Sequence, residues 1–279
     1  MQLIRGREIA DNILVDIKSK ILEMGTKPTL AVFLIGEDEA SKIYVGLKEK
    51  AARDIGMDFK LFRYDANIDE QEILARIEDL NKDKNISGII VQLPLPEGLD
   101  KNKIINAISP EKDVDGFHCE NQKKFCCGAE CKIFPVFPKA IIKMIEFAIG
   151  ENSLENVNKA VIICVSDDFG IIMQEAFKKI NIEAQYIFCD NLVSNSEELK
   201  GADVVVTACG VINIINSAMV KAGAIVIDGG IIKIEGKVHG DVDIESFKNQ
   251  DVFVSPVPGG VGPVTVACLL ENTFLAGVK

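Results

Sequence analysis

Short apolar runs alternate along this chain with longer stretches in which apolar residues recur every three or four positions. Runs of the first kind predict buried strands at 30–35, 59–64 and 88–93, and stretches of the second kind predict helices at 38–54, 70–80 and 100–108. Regular alternation of strand and helix is typical of a parallel sheet that is covered by helices on both faces. The first half of the chain is therefore predicted to be an α/β domain.

The same rhythm restarts after a helical stretch at 137–150 and a polar segment at 151–159. Strands are predicted at 160–165, 183–189, 203–207, 224–227 and 252–254, with helices at 169–180 and 264–276. This order predicts a Rossmann-like, doubly wound nucleotide-binding domain. We expect an N-terminal α/β domain over residues 1–139, on which the last helix (264–279) packs back, a nucleotide-binding domain over 140–263, and a cleft between the two.

Composition and charge exclude several classes of protein. The 279 residues carry 31 Lys+Arg against 42 Asp+Glu, a formal net charge of −11, which makes nucleic acid a poor partner. Two histidines, His118 and His239, are too few for a histidine-rich metal site. No apolar run reaches the ~18–20 residues that span a membrane. The first twenty residues do not look like a signal peptide, and we expect the eight cysteines to be reduced thiols of a cytoplasmic protein.

Candidate chemistry lies where predicted strands end, because open parallel sheets bind ligands at that edge. Tyr44 and Lys48 are four residues apart on a predicted helix, so both project from one face. Gln92 closes a strand, and the Asp113-Val114-Asp115-Gly116 segment places two carboxylates in one loop. Each feature also has a purely structural interpretation: a solvated lysine, a hydrogen-bonding cap, and a turn or a metal site.

Two further segments are unusual in composition. The Pro256–Pro263 loop has three prolines and three glycines before the last helix, so its backbone can approach a ligand closely. Four cysteines and a histidine fall within 14 residues, at His118, Cys119, Cys126, Cys127 and Cys131. This cluster has no Cys-x-x-Cys, which argues against a zinc or iron–sulfur site. We expect no metal there and interpret the cysteines as ordinary thiols of a loop, with a redox-sensitive pair as the alternative.

Six motifs, in order, carry a resemblance over nearly the whole chain. They are Ser41-Lys42-x-Tyr44-x3-Lys48, Val91-Gln92-Leu93-Pro94-Leu95-Pro96, Lys112-Asp113-Val114-Asp115-Gly116-Phe117-His118, Lys221-Ala222-Gly223-Ala224-x-Val226-Ile227-Asp228, Gly240-Asp241-Val242-Asp243, and Pro256–Pro263 with Thr265, Glu271, Asn272 and Thr273. With these motifs, the chain resembles the bifunctional methylenetetrahydrofolate dehydrogenase/cyclohydrolase family.

The resemblance implies oxidation of 5,10-methylenetetrahydrofolate with a nicotinamide dinucleotide and hydrolysis of the product to 10-formyltetrahydrofolate, within the one-carbon metabolism that supplies purine biosynthesis. Lys48 matches the family's catalytic lysine, Tyr44 its neighbour, Gln92 the lysine's hydrogen-bond partner, and Asp115 the carboxylate that binds the pterin. The implied walls of the folate site, which the family forms in the cleft between its domains, are Pro258, Gly259, Gly260, Val261 and Pro263. The family also implies a homodimer through the second domain.

The dinucleotide side departs from the family. Where the family has Gly-Arg-Ser-x-x-Val-Gly-x-Pro, this chain has Cys164, Val165, Ser166, Gly170 and Ile172 in place of the first glycine, arginine, serine, second glycine and proline. The arginine is missing and two acidic residues, Asp167 and Asp168, follow, which disfavours a 2′-phosphate. Asp190, about 20 residues on, suits a ribose hydroxyl.

We therefore expect a cofactor site made of Cys164, Val165, Ser166, Gly170, Asp190 and, from the resemblance, Ile231. Of NAD and NADP, the sequence favours NAD. The alternative is a cyclohydrolase that has lost dinucleotide binding. More remote alternatives are a folate-binding protein without turnover and a metal-binding redox protein built on the cysteine cluster.

Overall fold

A computed structural model describes residues 1–25, 27–129 and 131–278 of the chain. The chain divides into two compact units. One comprises Met1–Ala10 with Phe137–Thr265, and the other comprises Asp11–Val136 with Val266–Lys279. We call them the larger-sheet unit and the smaller-sheet unit, after the sheet that each contains. The functional division at residues 139/140 and 263/264 stays a prediction.

The helices and strands follow the predicted alternation. The helices are α1 Gly6–Met24, α2 Glu39–Asp54, α3 Glu70–Lys82, α4 Lys101–Ala107, α5 Cys119–Cys126, α6 Val136–Ile149, α7 Asp167–Lys179, α8 Ser196–Gly201 and α9 Val261–Gly277. The strands are β1 Gln2–Leu3, β2 Thr29–Ile35, β3 Asp58–Tyr64, β4 Gly88–Val91, β5 Lys159–Cys164, β6 Glu183–Phe188, β7 Val204–Ala208, β8 Ile225–Asp228, β9 Ile232–Ile234, β10 Lys237–His239 and β11 Phe253–Val254.

The smaller-sheet unit is built on a parallel sheet with the strand order β3-β2-β4. All seven residues of the central strand β2 are buried, as its continuous apolar sequence predicts for a strand that is covered on both faces. Helices α2 and α3 begin at Asp38 and Asp69, whose carboxylates accept backbone amides of the first turn. Strand β4 ends at Val91, two residues earlier than predicted, so that Gln92 lies just beyond the carboxyl end of the sheet.

The larger-sheet unit contains a parallel sheet with the order β1-β11-β8-β7-β5-β6. From β5 the chain moves outward to β6 and then returns to place β7 on the other side of β5. The crevice between β5 and β7 is therefore the topological switch point at which doubly wound sheets bind nucleotides. Cys164 at the end of β5 is in register with Phe188 of β6 and Ala208 of β7, so these strands end at a common edge.

Two local predictions differ from the structure. The cysteine-rich segment is not a loop throughout, since α5 begins within it, and the Nδ1 atom of His118 accepts the Glu120 amide as a helix cap. The eight cysteines are not all reduced thiols, because Cys189 and Cys209 form a disulfide. Within the described part of the chain, no helix is long and apolar enough to cross a membrane.

Candidate active site

A lysine and an amide meet at the carboxyl edge of the smaller sheet. Lys48 lies on α2, and its Nζ atom donates a hydrogen bond of 2.8 Å to Oε1 of Gln92, just beyond β4. The Gln92 amide is oriented in turn, because its Nε2 atom donates to the Leu93 carbonyl at 2.7 Å. The sequence predicted both residues as functional, and the structure brings them together. Gln92 thus presents a fixed oxygen to the lysine.

Asp115 completes the charged part of this site. Burial raises the pKa of its carboxyl to about 6, the positive charge of Lys48 opposes that rise, and the nearby charge of Asp113 adds to it. Burial likewise lowers the pKa of Lys48, while the Asp115 charge opposes the decrease. Each group therefore favours the charged form of the other in surroundings that disfavour both charges. The site thus combines a lysine whose pKa is lowered with a carboxyl whose pKa is raised to about 6.

Tyr44 lies one helical turn before Lys48 on α2. Its side chain is half-buried, and burial raises the pKa of its phenol. The hydroxyl consequently keeps its proton at neutral pH and can both donate and accept a hydrogen bond. This position on the Lys48 face of the helix is the one that the sequence predicted.

Asp113 is a residue whose role the sequence did not reveal. Its side chain is 1% exposed, and its carboxylate accepts the backbone amides of Gly116, Phe117 and His118 together with the Asn121 side-chain amide, at 2.9–3.2 Å. The first aspartate of the Asp113-x-Asp115 pair thus organises the loop, and only the second interacts with Lys48. A carboxylate that precedes several amides within five residues is the signal that could have identified this role.

The Asp115 loop is also held from outside. The Asn272 side-chain amide donates to the carbonyls of Val114 at 2.9 Å and of Phe134 at 2.8 Å, and the Val136 amide donates to the Asp115 carbonyl. Gly116 has a φ of +84°, and a Cβ atom there would lie 2.8 Å from the Pro135 Cα atom. No other residue fits this turn without displacing the backbone. The Asp115 carboxyl is therefore carried on a rigid support.

The Pro256–Pro263 loop lies in the larger-sheet unit and leads into α9. The Gly6 amide at the start of α1 donates to the Gly259 carbonyl at 2.9 Å. A Cβ atom on Gly6 would lie 1.7 Å from the Gly260 carbonyl oxygen, so this contact requires glycine. Of the predicted folate-contacting residues, Pro258, Gly259 and Gly260 thus belong to a loop that contacts the start of α1. Val261 and Pro263 lie in the first turn of α9, which begins three residues earlier than predicted.

The predicted cofactor residues lie at the carboxyl edge of the larger sheet. Cys164 is the last residue of β5, and Ser166 caps α7, because its hydroxyl accepts the Phe169 amide at 3.4 Å. Val165 lies between them, and its side chain is 67% exposed. Asp190 is exposed in a short 3-10 turn after β6, and Ile231, 49% exposed, follows β8. The structure brings these residues to the edge at which the switch point lies.

Gly170 and the start of α7 are shaped by Tyr186 of β6. A Cβ atom on Gly170 would lie 2.4 Å from the Tyr186 ring, so the glycine permits close packing of the helix on the sheet. The Tyr186 hydroxyl donates to the Asp167 carboxylate at 2.7 Å. Asp167 is thereby held in the first turn of α7, where a negative charge favours the helix but repels a phosphate.

A buried network at the ends of β7 and β8 supports this edge. The Asp241 side chain, which is fully buried, accepts the Thr207 hydroxyl at 2.7 Å and the amides of Cys209 and Val211 at 2.7 and 2.8 Å. Asp228 accepts the amides of Gly230, Asp241 and Val242, and burial raises its pKa to about 6. Sequence reasoning assigned no role to these aspartates beyond their motifs. They fix the backbone that follows β7.

The structure also shows where the potential metal-ligating side chains lie. Among residues 1–25, 27–129 and 131–278, no three His, Cys, Asp or Glu side chains are grouped so as to hold a metal ion. Within the cysteine-rich segment, His118 is the N-cap of α5, Cys119 and Cys126 lie in the helix, Cys127 is its C-cap, and Cys131 lies outside helices and turns.

The two units together define an α/β protein with a lysine–carboxylate site in one unit and a doubly wound nucleotide-binding sheet in the other. Family models match both parts: the catalytic domain of tetrahydrofolate dehydrogenase/cyclohydrolase over residues 4–115 and its NAD(P)-binding domain over residues 135–279. The chain belongs to this bifunctional dehydrogenase/cyclohydrolase family and is an enzyme, as the motifs predicted. Because the NAD(P)-binding domain is present, the alternative of a cyclohydrolase that has lost dinucleotide binding is not favoured.

Individual relatives match along nearly the whole chain. The bifunctional protein FolD of Ruthia magnifica subsp. Calyptogena magnifica is 41% identical over 278 residues, which are 99% of this chain and 98% of that protein. The FolD crystal structure from Campylobacter jejuni has a TM-score of 0.91 at 35% identity, covering 99% of this chain and 98% of that one. The Trypanosoma brucei enzyme, solved with NADP cofactor and inhibitor, has a TM-score of 0.90 at 27% identity, with coverage of 99% and 96%.

Proposed function

We propose that this enzyme oxidises 5,10-methylenetetrahydrofolate to the 5,10-methenyl cation with NAD, and hydrolyses that cation to 10-formyltetrahydrofolate at Lys48. The observation that carries the proposal is the 2.8 Å hydrogen bond from Lys48 to Gln92, in a site where Asp115 supplies the countercharge. A non-catalytic folate-binding protein has no need of a lysine with a lowered pKa.

Lys48 acts as the acid and base of the hydrolytic step. Addition of water to the methenyl cation and ring opening release one proton for each molecule of 10-formyltetrahydrofolate. A lysine whose pKa is lowered by burial can accept one proton as water adds to the cation and return it to the departing ring nitrogen, while the second proton of the water leaves the carbinol hydroxyl as the formyl C=O forms and is the one released. Gln92 orients the lysine through its fixed Oε1 atom, and the Tyr44 hydroxyl positions the water or the lysine.

Asp115 binds the pterin. A pterin presents adjacent N–H donors at one edge of its ring, and an ionised carboxylate can accept both of them. The rigid support of the Asp115 loop favours this role, because a prepositioned acceptor loses little conformational entropy on binding. The folate is also lined by Pro258, Gly259, Gly260, Val261 and Pro263. In this proposal, residues 1–139 and 264–279 form the folate-binding domain, and residues 140–263 form the dinucleotide-binding domain.

NAD is the proposed form of the cofactor, and it accepts hydride from the methylene carbon when bound. Asp190 accepts a ribose hydroxyl, and Cys164, Val165, Ser166, Gly170 and Ile231 line the dinucleotide. The support for NAD over NADP is the apolar Val165 beside the Asp167 carboxylate, which Tyr186 holds at the start of α7. A 2′-phosphate would meet negative charge there and no arginine.

An absorbance assay tests this proposal. Purified enzyme is given methylenetetrahydrofolate with NAD or with NADP, and methenyltetrahydrofolate without nucleotide. We expect methenyl formation with a higher kcat/KM for NAD, and loss of methenyl absorbance in the second assay. Formation of methenyltetrahydrofolate with NADP at equal or higher kcat/KM would refute the choice of NAD. A persistent methenyl signal would refute the role of Lys48.

We further propose that the enzyme is a cytoplasmic homodimer, formed through the larger-sheet unit, whose product supplies purine biosynthesis. The family resemblance supports the dimer. Light scattering coupled to gel filtration measures the molar mass, with about twice 30.4 kDa expected for the dimer. A mass of one chain would refute this part alone.

A further inference from the structure

Three cysteines mark the carboxyl ends of three adjacent strands in the larger sheet. Cys164 ends β5, Cys189 follows β6, and Cys209 follows β7. Cys189 and Cys209 form a disulfide with their Cα atoms 6.4 Å apart. Since β5 lies between β6 and β7 in the sheet, this bond crosses the end of β5. It therefore spans the switch point at which a doubly wound sheet binds its dinucleotide.

The disulfide lies on the floor of this crevice. The Cys189 sulfur is 3.2 Å from the Cys164 carbonyl oxygen, and both bonded cysteines pack on the buried cluster beneath this edge. Both are nevertheless partly exposed, so that a small thiol can reach them. Cys164, in contrast, is fully buried, and burial raises the pKa of its thiol, which makes it a poor competitor in thiol exchange.

The two ends of the bond are held very differently. On the Cys209 side, the buried Asp241 carboxylate accepts the amides of Cys209 and Val211, which fixes that backbone. On the other side, Cys189 begins the short 3-10 turn that carries the exposed Asp190. The disulfide thus ties the turn with the proposed ribose acceptor to a backbone that Asp241 already immobilises.

We propose that the Cys189–Cys209 disulfide is a redox control of dinucleotide binding, with the oxidised enzyme binding NAD more tightly than the reduced enzyme. A thiolate attacks one sulfur to give a mixed disulfide, and a second thiol displaces it. Two thiols of the reductant are thereby oxidised to a disulfide, and two protons and two electrons reach Cys189 and Cys209. Reoxidation by a small-molecule disulfide reverses the exchange.

Reduction removes the tether and lets the two sulfurs move apart to a nonbonded distance. The turn that carries Asp190 then loses its fixed position. NAD binding is weakened because the turn loses conformational entropy when it becomes ordered. We expect the Kd for NAD to rise about tenfold, the factor that corresponds to one hydrogen bond of ordinary net strength. This inference rests on the proposed role of Asp190.

The first test is chemical. Protein isolated without reductant is alkylated and analysed by peptide mass spectrometry, with and without prior treatment with dithiothreitol. We expect Cys189 and Cys209 to be alkylated only after reduction, and the exposed Cys127 to be alkylated in both samples. Alkylation of Cys189 and Cys209 in the untreated sample would overturn the proposal.

The second test measures binding and both activities in the two redox states. NAD titrations followed by nicotinamide fluorescence quenching or calorimetry are run on oxidised and reduced wild type, Cys189→Ser, Cys209→Ser and the control Cys127→Ser. We expect the two disulfide variants to bind NAD like reduced wild type whether or not dithiothreitol is present, and Cys127→Ser to respond like wild type. Hydrolysis of methenyltetrahydrofolate without nucleotide should be equal in both states, because Lys48, Gln92 and Asp115 all belong to the other unit.

Three other outcomes of these titrations would overturn the redox control. Equal NAD affinity in the two states, or tighter binding after reduction, overturns the redox control and leaves the proposed function intact. If dithiothreitol still changes the Kd for NAD tenfold in Cys189→Ser, another thiol is responsible, and the proposed redox control is overturned. Absence of NAD binding in both states refutes the NAD proposal itself and the redox control with it.

Discussion

The Lys48 ammonium donates to the Gln92 amide oxygen, which the neighbouring Leu93 carbonyl holds in place through the Gln92 Nε2 atom. A neutral partner orients the lysine without adding a negative charge to it. The Asp115 carboxylate is the group that limits the decrease in the lysine pKa. Orientation and charge are thus supplied by different residues, and each can be changed alone.

Removal of the lysine tests the acid–base role directly. Lys48→Met keeps the length and apolar contacts of the side chain, and we expect hydrolysis of methenyltetrahydrofolate to fall by about a hundredfold to ten-thousandfold, the usual contribution of a general acid–base group. Lys50→Met, an exposed change on the same helix, is the control and should hydrolyse at the wild-type rate. Stopped-flow absorbance measures both. Unchanged turnover in Lys48→Met would remove the lysine from the mechanism.

The neutrality of Gln92 is tested by Gln92→Glu. A carboxylate at hydrogen-bonding distance from Lys48 raises the lysine pKa and keeps the ammonium charged. The pH–rate profile for hydrolysis should therefore move to higher pH, with a lower rate at neutral pH. An unchanged profile would contradict the idea that Gln92 is needed as a neutral partner.

The Asp115 pKa predicts how folate binding depends on pH. With a pKa of about 6 in the folded enzyme, the carboxyl becomes neutral as the pH falls below that value and can no longer accept two pterin N–H groups. We expect the Kd for folate to rise about tenfold for each pH unit below 6. Calorimetric titration between pH 5 and 8 measures it. Asp115→Asn should bind weakly at every pH, and a parallel slope in this variant would exclude Asp115 as the titrating group.

The raised pKa of Asp115 also predicts how the stability of the fold depends on pH. A typical aspartate has a lowered pKa in the folded state and stabilises the fold less as the pH falls, whereas Asp115 should stabilise it more. Since the folded pKa is above the reference value of 3.8, the folded state binds more protons than the unfolded state between about pH 4 and 6. This group's contribution to the free energy of unfolding therefore increases as the pH falls through that window. Urea denaturation of wild type and Asp115→Asn at several pH values should show wild type gaining stability relative to the variant. A constant difference would contradict the raised pKa.

Asp113 is predicted to matter for stability and, through the loop, for folate binding. Asp113→Asn places N–H donors where backbone amides already donate, so we expect a cost of about 3 kcal/mol in the free energy of unfolding, the upper range for hydrogen bonds to a charged group. Asp79→Asn, an exposed change in α3, is the control and should cost almost nothing. Equal urea midpoints for the two variants would show that the Asp113 bonds contribute little.

A gain of function tests the choice of cofactor. Val165→Arg restores a guanidinium beside Ser166, and we expect the Kd for NADP to fall about tenfold through an ion pair with the 2′-phosphate, with little change for NAD. Val15→Arg, which adds the same charge at an exposed position of α1, is the control. An equal gain in both variants would show that the effect is only one of net charge.

Regular periodicity made the main strands and helices predictable. Strand β2 is apolar at nearly every position, and α2 and α3 begin at capping aspartates, so the local sequence was sufficient to specify them. Strand β1, with two residues, and the β9–β10 pair are too short to show a period. β1 forms because it pairs with β11, which is distant in sequence, and β9 and β10 pair through a local turn. The hydrophobic pattern indicates neither the distant pairing nor the turn.

Those residues of the candidate site that belong to recognisable motifs were predicted from the sequence. Lys48, Gln92 and Asp115 were recognised from their motifs, and their joint position at one sheet edge follows from parallel topology. The role of Asp241 was not predicted, because it accepts amides that are about 30 residues distant in sequence. The role of Asp113 was missed although its amides follow it within five residues, a local pattern that could have indicated it. The Cys189–Cys209 bond joins residues that are 20 positions apart on two different strand ends, and a cysteine count cannot pair them.

The pairing of β1 with β11 has a consequence for biosynthesis. Gln2 and Leu3 are in register with Phe253 and Val254, and the Gly6 amide donates to the Gly259 carbonyl, so residues 2–6 can make these bonds only after residues 253–259 have been synthesised. The other unit likewise includes residues 266–279. Neither unit can therefore be completed before its later segment has been synthesised, and nascent polypeptides should remain sensitive to protease until α9 has emerged from the ribosome.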